Sequence, residues 1–213
     1  MKRRGVTLLE LLITMTIVLV VTGLTALLLS STSRAALRIT MRSEMQQQAL
    51  TAMQRLLTDL RRSCCSGVAI RSGAAPVAVA ICPLKGSGVL NNGELSWSDI
   101  FQIYWYDGSA KTLNCREWPP GAPAATLEEL DITKPRRLAP GRIAAILNVP
   151  AARQFTLVTG LTSFEISYPP GGSDVLMIQP VTFKLTLERK GNTGRNTPEV
   201  YTYQRSFFLP EQR

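Results

Sequence analysis

The chain has 213 residues, 45% hydrophobic and 18% charged, which suits one ordinary domain plus an extension and carries too little charge for a disordered tail. Lysine and arginine outnumber the acids 24 to 15, a formal charge of +9, which by itself points to an anionic partner such as nucleic acid or a lipid surface. Histidine is absent, and with it go the histidine triad, the histidine general base and every imidazole metal site.

Lys2, Arg3 and Arg4 form a basic cluster, and from Gly5 to Ser33 the one ionisable side chain is Glu10. The uncharged run Leu11 to Leu29 is 19 residues, close to the ~20 that a helix needs to cross a bilayer. No Ala-x-Ala site closes the run before Arg34, so it predicts a membrane anchor rather than a cleaved secretory signal. Cations on the N-terminal flank keep that end cytoplasmic and send residues from Arg34 onward across the membrane. Glu10 is the anomaly, because a carboxylate in a lipid-facing helix costs about 2.5–3.5 kcal/mol. Either it stays near the headgroups or it has a partner.

Past the apolar run, Met41, Met45, Ala49, Met53, Leu56 and Leu60 recur every three or four residues, so one amphipathic helix continues, its methionines packing against a sheet formed by the rest of the chain. From Val6 to Ser63 it is 58 residues, about 87 Å if unbroken, with Gly67 as its stop. Thr22-Gly23 and Thr25 mark the place where it could unwind. From Val68 the period becomes two. Val77–Ile81 and Ile100–Tyr106 predict strands, and Asn92-Gly93 predicts a turn between Val89-Leu90 and Leu95–Trp97. Asp107-Gly108 predicts another turn. The stretch from Gly121 to Gly141 reads as an irregular loop with one helical turn near Glu128. Phe155–Val158, Leu161–Tyr168, Val181–Glu188 and Val200–Leu209 are four more strands. The fold class is therefore α+β, a long N-terminal helix packed on antiparallel sheet.

Gly5-Val6-Thr7-Leu8-Leu9-Glu10-Leu11 resembles the processing site of type IV prepilins and type II secretion pseudopilins: a short basic leader ending in glycine, an apolar first mature residue and a glutamate at the fifth mature position. The resemblance implies cleavage between Gly5 and Val6 by a prepilin peptidase, N-methylation of Val6, and a Glu10 that pairs with the Val6 amine of a neighbouring subunit to set axial register. It divides the chain into a leader at 1–5, a transmembrane segment at 6–33, an amphipathic continuation at 34–66 and a β-rich extracytoplasmic domain at 67–213. Leu56–Arg61, Phe101–Asp107, Leu161–Tyr168, Pro180–Glu188 and Arg205–Pro210 together look like the larger minor pseudopilins of the J type and the W-type minor pilins. That likeness implies a non-enzymatic subunit that initiates or caps a filament, alongside other minor and major pilins and an inner-membrane assembly platform. The implied location is the bacterial inner membrane, then the filament tip in the periplasm or at the cell surface.

Export makes disulfides permissible, and Cys64 and Cys65, being adjacent, do not readily bond to each other. Either Cys64 joins Cys82 and Cys65 joins Cys115, or the pairing is crossed, each loop adding about 3–4 kcal/mol. A zinc site of four thiolates lacks paired CxxC spacing, and no cofactor is implied. Glu128, Glu129 and Asp131 read as a solvated surface. Tyr104, Trp105 and Tyr106 alternate, so they split between both faces of a strand. Without Lys2, Arg3 and Arg4 the charge falls to +6, with no run longer than two cations, a weak nucleic-acid signal. A competence pseudopilin for DNA uptake and a signal-anchored exported enzyme are the alternatives.

Overall fold

The computed structural model describes residues 7–89, 95–118, 134–149, 153–190 and 198–210. Helix α1 runs Leu8–Arg61, 54 residues without a break. It stays helical through Thr22, Gly23 and Thr25, where the hydroxyls of both threonines donate to carbonyls three or four residues back. Thr14 and Thr16 do the same. These internal bonds hide polar atoms that hydrocarbon would penalise. The helix is long and apolar enough to cross a membrane, and none of its most apolar stretch is buried in the body.

Only the C-terminal part of α1 packs. Met45, Ala49, Ala52, Met53, Leu56, Leu57 and Leu60 are buried while Met41 is half-buried, so the expected methionine stripe is core. The helix ends when the N–H groups of Arg62 and Ser63 bond the carbonyls of Asp59 and Leu60 at 3.1 Å. That is earlier than the expected stop at Gly67, whose role is different. A Cβ there would lie 2.7 Å from Ser63 Oγ and 3.2 Å from the Cys82 carbonyl, so glycine lets the helix end approach the sheet.

Beyond a 3₁₀ turn at Cys65–Gly67 come β1 (Val68–Arg71), β2 (Ala78–Ile81), β3 (Leu84–Val89), β4 (Leu95–Trp97), β5 (Phe101–Asp107) and β6 (Thr112–Trp118). Helix α2 (Pro140–Leu147) and strands β7 (Gln154–Thr159), β8 (Leu161–Ser167), β9 (Val181–Arg189) and β10 (Glu199–Phe207) follow among the described residues. Among the described residues they form three antiparallel sheets, ordered β1-β2-β5-β6-β7, β10-β9-β8 and β3-β4. The expected turn at Asn92-Gly93, and Glu128, Glu129 and Asp131, lie outside the described residues. The arrangement is α+β and pilin-like, as expected.

α1 covers one face of the five-stranded sheet through Ile70, Val79, Tyr104, Leu113 and Cys115, and the same core takes in Phe164, Phe183, Leu185 and Leu187 of the three-stranded sheet. The other face of the five-stranded sheet meets α2, where Ala69, Ala78 and Ala80 lie with Ile143 and Ile146. Alanine at these strand positions leaves room for the helix to approach closely. Trp105 belongs to this second face while Tyr104 and Tyr106 pack on the first, the expected split. Gly160, at φ +73°, joins β7 to β8 in a left-handed turn that side chains rarely adopt.

Candidate functional site

Thr7 caps α1: its hydroxyl oxygen accepts from the Glu10 N–H at 3.3 Å, and its carbonyl accepts from the Leu11 N–H at 3.1 Å. Glu10 therefore sits in the first turn, where the helix dipole favours a negative charge. The dipole lowers the cost of a carboxylate beside the apolar run, and the exposed side chain remains available to a partner. Leu8, Leu9, Leu11 and Leu12 around it are exposed by more than half. Gly5 and Val6 lie outside the described residues.

The structure buries Cys64, Cys82 and Cys115 and leaves Cys65 half-buried. It separates them by face. Cys64 and Cys82 share the α2-side cluster, whereas Cys115 belongs to the core under α1 and Cys65 packs against that core. Backbone bonds bring the first pair together: Gly67 N–H to the Cys64 carbonyl at 2.9 Å, Cys82 N–H to the Gly67 carbonyl at 2.8 Å, and Ser63 Oγ to the Cys82 carbonyl at 2.7 Å. Burial pushes the Cys82 thiol up, with Cys64 adding to the shift, and burial pushes Cys115 up to about 11. Neither is a ready nucleophile at neutral pH. Cys65 Sγ accepts from Gln179 Nε2 at 2.8 Å.

Two clamps fasten the body. Tyr104 OH donates to Asp59 Oδ2, tying β5 to α1. Asp174 accepts from Ser72 N–H at 2.8 Å, Ser72 Oγ at 2.7 Å and Tyr168 OH at 2.9 Å, tying the β8–β9 connection to the end of β1. Burial pushes the Asp174 carboxyl up, but these hydrogen bonds outweigh it and hold the group below its ordinary value. An open cavity of about 630 Å³ lies between Ser72, Pro76, Trp105, Tyr106, Asp107 and Asn148. Its Ser72 hydroxyl is committed to Asp174, and Asp107 Oδ1 caps the turn at Ser109 and Ala110. Among the described residues no group of three His, Cys, Asp or Glu is placed to hold a metal ion.

The family model for the prokaryotic N-terminal methylation motif matches residues 1–26. The chain thus carries, at its N-terminus, the methylation motif of type IV pilin-like proteins. No curated protein and no solved structure matches the chain.

Proposed function

We propose that the protein is a minor pilin or pseudopilin, a structural subunit that helps initiate or cap a type IV pilus-like or type II secretion filament. The observation that carries this reading is the coincidence of the methylation motif with a Glu10 left exposed in the first turn of an unbroken apolar helix. Prepilin peptidase cuts between Gly5 and Val6, and the new Val6 amine is methylated. That amine is a cation at the edge of hydrocarbon, and Glu10 of a staggered neighbour gives it a counter-charge, turning two costly charges into one neutral contact. The body stands outside the cytoplasm, held in the inner membrane by α1 until an assembly platform and the other pilins draw it into a filament. A bulky β-rich body suits a terminal position better than repetitive packing along a shaft.

Intact-mass analysis of protein extracted from its native membrane tests the reading. The expected mass lacks residues 1–5 and carries one added methyl. Substituting Gly5→Val should leave the precursor uncut, because a branched side chain obstructs the scissile bond. An unprocessed wild-type start would return the chain to the class of plain signal anchors.

A further inference from the structure

The face of α1 that seats the body does not end where the body ends. At 100° per residue, the buried residues from Met45 to Leu60 span about 140°, and Met45, Ala49, Ala52, Leu56 and Leu60 lie within about 80° of it. Arg34, Arg38 and Arg42 fall in that same arc, on the turns between the body and the apolar run. All three are exposed. The sequence holds no acid between Glu10 and Glu44, and Glu44 is taken by Arg189. Each arginine thus lacks a carboxylate three or four positions away on its own helix, and no ion pair reaches any of them among the described residues. Like charges four apart oppose one another. The uncharged run from Leu11 to Ser33 is 23 residues, or about 34 Å, slightly more than the ~30 Å of hydrocarbon. Arg34 therefore stands at headgroup level, and Arg38 and Arg42 stand about 6 and 12 Å above it. Long arginine stems can bend back toward that level.

We propose that Arg34, Arg38 and Arg42 bind the phosphate groups of anionic phospholipids in the leaflet beneath the body. A planar guanidinium matches two phosphate oxygens at once. The apolar run fixes the height of the stripe, and the shared arc places it on the side over which the body hangs. Phosphates between the arginines relieve their mutual repulsion. The proposal rests on α1 spanning a membrane and on no part of the filament reading.

The test uses full-length protein in phosphatidylcholine bilayers with a trace of spin-labelled lipid, reading the fraction of label immobilised at the protein. Labelled phosphatidylglycerol should associate roughly threefold or more in excess of labelled phosphatidylcholine. The variant Arg34→Gln, Arg38→Gln, Arg42→Gln should lose that excess, and the corresponding lysine variant should keep most of it. Lys2, Arg3 and Arg4 are common to all three proteins, so the difference isolates the stripe. An excess that survives the glutamine substitutions overturns the proposal. So does displacement of the labelled lipid by millimolar inorganic phosphate, which would mark a site for free anions. Failure of the wild type to enter the bilayer overturns the spanning reading along with it.

Discussion

Arg116 is nearly inaccessible, at 2% exposure, yet it sits in the middle of a strand. Its guanidinium donates to the carbonyls of Ile146 and, at 2.8 Å, Val149, at the C-terminal end of α2. It also lies 5.5 Å from the Trp105 ring and 6.0 Å from that of Trp118. The negative end of the helix dipole and the two ring faces thus stand in for a carboxylate. Burial pulls the guanidinium pKa down. Replacing Arg116→Met keeps much of the stem volume and removes the two charged hydrogen bonds, at a cost of about 2–3 kcal/mol. Urea unfolding of the full chain in detergent, monitored by tryptophan fluorescence, should show that loss as a lower midpoint. An unchanged midpoint would mean that water satisfies the end of α2 equally well.

At the scale of elements, the junction of α1 with β2 and β3 is tied by main-chain and side-chain bonds. Arg62 and Leu84 exchange bonds there, Leu84 N–H to the Arg62 carbonyl at 2.7 Å and Arg62 to the Leu84 carbonyl at 3.2 Å, and Ser63 reaches Cys82. Cys64 and Cys82 lie on one face of the five-stranded sheet and Cys115 on the other. The crossed pairing would join cysteines that pack on opposite faces. Non-reducing peptide mapping of protein from its native envelope should therefore join Cys64 to Cys82. A bond from Cys64 to Cys115, or four alkylated thiols, would refute that pairing. The helix and most strands were legible because their periods are clean, as in β9, where Val181, Phe183, Leu185 and Leu187 alternate with polar residues. Strand β6 was not, since Asn114 and Arg116 are buried in it and spoil the alternation. Helix α2 is hidden in the sequence because Pro140-Gly141 opens it without a side-chain cap and it runs only eight residues. Glu10 stood out as an acid in an apolar run. The arginine stripe did not, because which face of α1 meets the body is known only once Met45 to Leu60 are seen to be buried.

For the whole molecule, the proposed assembly role of Glu10 should separate from folding. Glu10 lies in the projecting part of α1, away from the core of the body, so Glu10→Leu should still insert, still be cut after Gly5 and still unfold at the wild-type denaturant midpoint. Its crosslinks to other filament subunits should fall sharply in a strain without the native copy. Co-assembly at the wild-type level would show that Glu10 merely rests near the headgroups.

The proportions of α1 carry a mechanical consequence. From Leu8 to Glu44 the helix projects about 55 Å, and from Met45 to Leu60 it is seated over about 24 Å. Any sideways load on the projecting end is thus applied through a lever whose long arm exceeds its socket by about two to one. The fixings are arranged accordingly: Arg189 grips Glu44 at the mouth of the socket, Tyr104 grips Asp59 near its floor, and Ser63 and Arg62 are pinned beside β2 and β3 just beyond. A rod held at both ends of its socket resists bending moment, which a single contact at mid-length would not, so a tug on the membrane end turns the body as one piece.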